Sequence, residues 1–88
     1  MLIVELSFTS VSEERMAALP RHRENILRLH REGKVFAAGP LADRSGALLI
    51  FSVERDELDR ILADDPYFRS EGCTIASIRR WTPMLGVA

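Results

Sequence analysis

The spacing of apolar residues changes along the chain, and each change marks an element. From Leu2 to Phe8 it is two: Leu2, Val4, Leu6 and Phe8 share one side, and Ile3, Glu5 and Ser7 the other, as in a strand. From about Met16 to Glu32 the intervals lengthen to three and four, placing Leu19, His22, Ile26 and Leu29 on one stripe of a helix. Ser10 or Ser12 can cap this helix, and Glu13 and Glu14 suit the positive end of its dipole. Gly33 supplies the stop. Pro20 predicts either a kink or the first turn of a second helix running on to Glu32. Lys34 to Leu41 reads as the second strand, closed by Gly39-Pro40. After a polar turn at Asp43-Arg44-Ser45-Gly46, Ala47 to Val53 is a third strand that pairs with the second as a hairpin. Glu54 to Ala63 is a short helix burying Leu58, Ile61 and Leu62, and Asp65 is pushed out of helical angles by Pro66. Cys73 to Trp81 is the last strand, ended by Pro83.

Strand, helix, strand, strand, helix, strand is the split layout of an α+β, ferredoxin-like βαββαβ domain. Both helices then lie on one face of a four-stranded antiparallel sheet, and the other face is expected to be polar. Here it is not. Ala47-Leu48-Leu49-Ile50-Phe51 is apolar on both sides, and the second strand alternates Val35 and Ala37 with Phe36 and Ala38. An open apolar sheet face is an interaction surface. The economical expectation is a homodimer with two sheets packed face to face, though a different partner protein would use the same surface.

Composition narrows the function. The 88 residues suffice for one domain with one core. Net charge is −1 with both signs interspersed, and no basic stripe interleaves with aromatics, so nucleic acid is not an expected partner. No apolar run approaches the ~20 residues of a membrane span, and no membrane partner is expected. Leu2 to Leu6 is too short for a secretory leader, and the lone Cys73 fits a reducing compartment, so the expectation is a cytoplasmic protein. No phosphate loop or metal-ligand cluster is present, and neither metal nor cofactor is expected. His30 lies two turns from His22, not at the spacing of paired ligands, and reads as a helix C-terminal histidine. Cys73 reads as a small buried hydrophobe.

The chemistry-bearing candidates are His22 and Asp65. A histidine on an apolar stripe is either a satisfied core residue or one facing a pocket. Aspartate before proline is a common turn residue, but an extended Asp65 also leaves its carboxylate free to point inward. If the two meet, the aspartate fixes the imidazole tautomer and raises the basicity of the other nitrogen. That makes His22 a general acid or base suited to an isomerase or lyase. Nucleophilic acyl transfer is not suited, because no serine or cysteine has an activating context. Tyr67 and Phe68 either line a pocket for a planar ligand or plug the end of the core.

Arg21-His22, Gly39-Pro40, Asp64-Asp65-Pro66-Tyr67, Gly72 and Ile78-x-x-Trp81 together resemble the YciI-like (YCII-related) proteins, over nearly the whole chain. The resemblance implies one YciI-like domain over residues 1–88, a dimeric α+β barrel of the kind also seen in muconolactone isomerases, and a His–Asp pair in a cleft. Carried over by position, that pair is His22 and Asp65, with Arg21, Gly39, Pro40, Tyr67 and Phe68 as expected substrate contacts. Some members are lyases that remove chloride from chlorinated hydroquinones. The chain departs from the pattern about one turn before the histidine, where members carry an arginine and this chain has Leu19, with Arg21 and Arg15 nearby. The residues after the histidine, Arg23-Glu24-Asn25, are more polar than usual in the family. Two function classes follow. One is a cofactor-free acid–base enzyme acting on a small cyclic or aromatic compound. The other is a non-catalytic homodimeric module that binds a small ligand or serves as an accessory subunit.

Overall fold

The computed structural model describes residues 1–86. Strand β1 (Leu2–Phe8) lies inside the sheet, between β3 (Gly46–Phe51) and β4 (Cys73–Arg80), and β2 (Val35–Pro40) flanks β3 at the edge. All pairings are antiparallel, in the order β2-β3-β1-β4. Helices α1 (Glu13–Arg31) and α2 (Arg55–Asp64) complete the βαββαβ layout, followed by a short 3-10 turn at Pro66–Arg69 that precedes β4.

Alternation in β1 sets the core. Leu2, Val4 and Leu6 stand opposite Phe51, Leu49 and Ala47 of β3, and Leu29 of α1 with Leu58 and Leu62 of α2 cover that face. In β4 strict alternation would separate Ile75 from Ile78. A bulge opposite Glu5 and Leu6 instead sets Ile78 against Val4 and Ile75 against Leu6, so both join the core. Pro40 is tolerated because β2 is an edge strand. Gly46 is required by packing, since a Cβ there would collide with the Leu6 carbonyl. The outer face carries Ile3 and Ile50, both half-buried, and Leu48, 37% exposed. Phe36 on the neighbouring edge strand is 41% exposed.

Three features of α1 and β3 differ from the sequence expectation. Helix α1 starts at Glu13, because the Ser12 hydroxyl accepts the Arg15 N–H at 3.0 Å. Ser12 also donates to the Glu71 carbonyl at 2.6 Å, tying the helix start to the loop before β4. Pro20 does not begin a second helix. It sits exposed within one helix, which loses only the hydrogen bond to the Met16 carbonyl. Strand β3 ends at Phe51 rather than Val53, since Glu54 is already the N-cap of α2. Among the described residues no helix is long and apolar enough to cross a membrane.

Candidate active site

Two local rules place the central pair. The apolar spacing of α1 turns His22 toward the sheet, and Pro66 holds Asp65 extended at φ −110°, ψ 106°, just beyond the end of α2. The two residues, 43 positions apart, meet with His22 Nδ1 2.7 Å from Asp65 Oδ2. The other oxygen, Oδ1, accepts the Tyr67 N–H at 3.1 Å and so caps the 3-10 turn. That turn delivers two aromatic rings to the imidazole. Tyr67 stacks on it at 4.2 Å and 17°, and Phe68 meets it edge-on at 5.1 Å and 85°. The ring is therefore clamped in position and orientation, with its side chain 12% exposed and that of Asp65 4%.

Burial pushes the Asp65 carboxyl up. The hydrogen bond from His22, the charge His22 carries when protonated, the Tyr67 N–H and Asn25 together outweigh that push and hold the group below its ordinary range. An ionised carboxylate only accepts hydrogen bonds, so His22 Nδ1 must donate, and the lone pair of a neutral ring rests on Nε2. Among the described residues Nε2 has no hydrogen-bond partner, and it is not sealed from solvent.

His22 opens onto a cleft of about 690 Å³ between α1 and the inner side of β2 and β3. Its floor and walls are largely apolar, from Leu6, Phe8, Leu19, Ile26, Ala47 and Leu49. Of the residues expected at the site, Gly39, Pro40 and Tyr67 line the cleft with His22. Asp65 stands behind the imidazole, and Phe68 is buried in the core against the ring. Arg21 is exposed and outside the cleft, because one residue along the helix turns it about 100° from His22. Tyr67 both lines the cleft and packs in the core, so the two readings of that residue are not exclusive. Burial pushes its phenol up, opposed in part by Arg15.

Besides apolar residues, the lining holds four basic residues outside the expected set: Arg15, Arg23, His30 and Arg44. Arg15 had a signal, since it stands two turns before His22 on the same stripe. It is only 9% exposed, donates to the Ser10 carbonyl at 2.6 Å, and lies 4.1 Å over the Phe8 ring. His30 keeps Nδ1 2.8 Å from the Val35 carbonyl. Cys73 is free and buried, and burial raises its thiol, which keeps it in the neutral form of a packing residue.

The family model of the YCII-related domain matches residues 1–82, which takes in every element above. The chain belongs to the YCII-related family. No curated protein matches it, but a solved structure shares the fold: 5-chloro-2-hydroxyhydroquinone dehydrochlorinase from Burkholderia phenoliruptrix AC1100, in complex with 2,5-dihydroxybenzoquinone. The two superpose with a TM-score of 0.55 at 17% identity, over 93% of this chain and 94% of the other. Against the YCII-related pattern, Leu19 occupies the turn where an arginine was anticipated. One turn earlier, Arg15 brings a guanidinium to the same cleft.

Proposed function

We propose that this YCII-related protein is a cofactor-free acid–base enzyme of the lyase or isomerase type, acting on a small cyclic or aromatic compound. His22 is the proton-transfer group and Asp65 its positioning residue. The observation that carries this reading is the 2.7 Å contact between Nδ1 and Oδ2, which leaves Nε2 as the free nitrogen at an apolar cleft. A base so held can take a proton from a ring carbon or hydroxyl and return it elsewhere on the same molecule or to a leaving group. The dehydrochlorinase of the same fold, solved with a dihydroxybenzoquinone, supports a flat oxygenated ring as the substrate type.

The test is turnover of a panel of chlorinated hydroxyhydroquinones and unsaturated ring lactones, followed by absorbance. His22→Asn is expected to lower kcat by about 10²–10⁴-fold. In Asp65→Asn the amide oxygen stays with the Tyr67 N–H, so the NH₂ faces Nδ1 and drives the ring proton to Nε2. That variant should lose activity by a comparable factor, on the order of 10⁴-fold for a wrongly held tautomer. Unchanged turnover in a folded His22→Asn protein would overturn the reading. The competing role, a non-catalytic ligand-binding module, draws on Asp65 also capping the 3-10 turn, and it predicts binding without turnover across the panel.

We further propose that the working unit is a homodimer packed through the outer sheet face. The support is the apolar character of Ile3, Leu48 and Ile50 on a face that neither helix covers.

A further inference from the structure

The charge around the cleft is one-sided. Arg15, Arg23 and Arg44 line it together with His22 and His30, and no aspartate or glutamate does. The chain as a whole carries a net charge of −1, so this is a local concentration of positive charge rather than a basic protein. None of the three arginines pairs with a carboxylate among the described residues. For Arg23 and Arg44, both exposed, water suffices. Arg15 is different. It is 9% exposed, donates to one carbonyl, lies over one aromatic face beside the Tyr67 phenol, and its buried Nε–H has no acceptor. A buried guanidinium without an anion is expensive, and a buried N–H without an acceptor adds to the cost. Such a group in a folded protein calls for an explanation, and a bound anion beside it is one that the cleft can supply.

We propose that the cleft takes a ring-bearing carboxylate, with the carboxylate held by Arg15 and the ring laid on the apolar floor toward His22. This rests on the acid–base reading of the same site and names its substrate class. The geometry suits a small ring. Arg15 and His22 are two helical turns apart, ~10 Å along the axis. Phe8 stands beside Arg15 and Tyr67 beside His22, the two aromatic rings 6.3 Å apart and edge to face, and both line the cleft that the ring would enter. Carboxylate is the favoured anion because guanidinium presents parallel N–H groups that match its two oxygens. A carboxylate also supplies the counter-charge that the Arg15 guanidinium lacks at the cleft wall. Arg23 and Arg44 then draw the anion toward the cleft mouth from solution.

The experiment is an NMR titration of the intact protein with benzoate and with benzamide, its uncharged counterpart, following backbone amides and the Arg15 Nε–H. Benzoate is expected to bind about tenfold or more tightly than benzamide, the worth of a hydrogen bond to a charged group, and to move the Arg15 Nε–H signal. The preference should vanish in Arg15→Gln and survive in Arg55→Gln, which removes an exposed arginine on α2 outside the cleft. Equal affinities, no response of cleft amides to either probe, or binding that leaves Arg15 Nε–H unmoved would overturn the proposal. The wild-type signal answers this even if Arg15→Gln does not fold. The two readings fail separately. Turnover retained in His22→Asn removes the acid–base reading and leaves carboxylate binding standing. Loss of the benzoate preference in an active wild-type protein removes only the carboxylate.

Discussion

Asp65 divides its two oxygens between the His22 ring and the Tyr67 N–H, and a single residue thereby holds both the imidazole and the turn that supplies its aromatic neighbours. Removing its charge should cost about 1.5–3 kcal/mol, the range for a hydrogen bond to a charged group. The cost depends on pH in a definite direction. The folded-state carboxyl titrates below its ordinary 3.8, so its stabilising contribution is complete above that value and is lost as pH falls through the lower, folded value. Urea unfolding of wild type and Asp65→Asn should therefore differ most at neutral pH, and the two should converge in strong acid. A difference independent of pH would mean that Asp65 acts through shape alone. The turn character of Asp65 and the stripe position of His22 were both legible in the sequence. Their contact was not, because nothing local measures a distance across 43 positions. Arg15 was less legible still. An arginine is ordinarily a solvated side chain, and only the packing of Phe8 and Ser10 around it makes it a buried one.

Helix α1 carries His22, Arg15 and most of one cleft wall, so its boundaries bear on the site. Ser12 joins the helix start to the loop before β4 through two hydrogen bonds, and Ser12→Ala should lower stability by about 1 kcal/mol in thermal or urea unfolding. Pro20 interrupts the helix where it faces solvent. Pro20→Ala restores a donor to the Met16 carbonyl and should stabilise the fold by up to ~3 kcal/mol, less the gain in unfolded-chain freedom. A loss of stability in that variant would mean that the proline serves packing. The apolar periods located every strand and both α-helices, with errors of a few residues at their ends. The bulge in β4 escaped them. Ile75 and Ile78 break a strict two-residue alternation, and only the pairing with β1 shows how both reach the core.

Across the whole molecule, a four-stranded sheet is packed by helices on one face and carries an apolar patch of Ile3, Leu48 and Ile50 on the other. In the proposed homodimer that second face is closed by another copy. Leu48 lies opposite Glu5 on this face, so Leu48→Glu would place like charges side by side within the apolar patch. Analytical ultracentrifugation should find the wild type dimeric and Leu48→Glu monomeric with unchanged far-UV circular dichroism. A monomeric wild type would contradict the sheet-to-sheet assembly. The apolar outer face was plain from residues 47–51, because a strand with apolar side chains on both sides needs cover on both. The one-sided charge of the cleft could not be seen until the chain was folded. Its arginines come from positions 15, 23 and 44, which neither spacing nor composition groups together.

The proposed chemistry turns on Asp65 holding His22 with its proton on Nδ1 and its basic nitrogen toward the cleft. The most direct test is the ¹⁵N NMR spectrum of the neutral His22 ring in wild type and in Asp65→Asn, since the two tautomers have distinct nitrogen shifts. The wild type should show the Nδ1–H tautomer, and Asp65→Asn should switch it to Nε2–H. A wild-type ring protonated on Nε2, or a tautomer indifferent to Asp65→Asn, would contradict it.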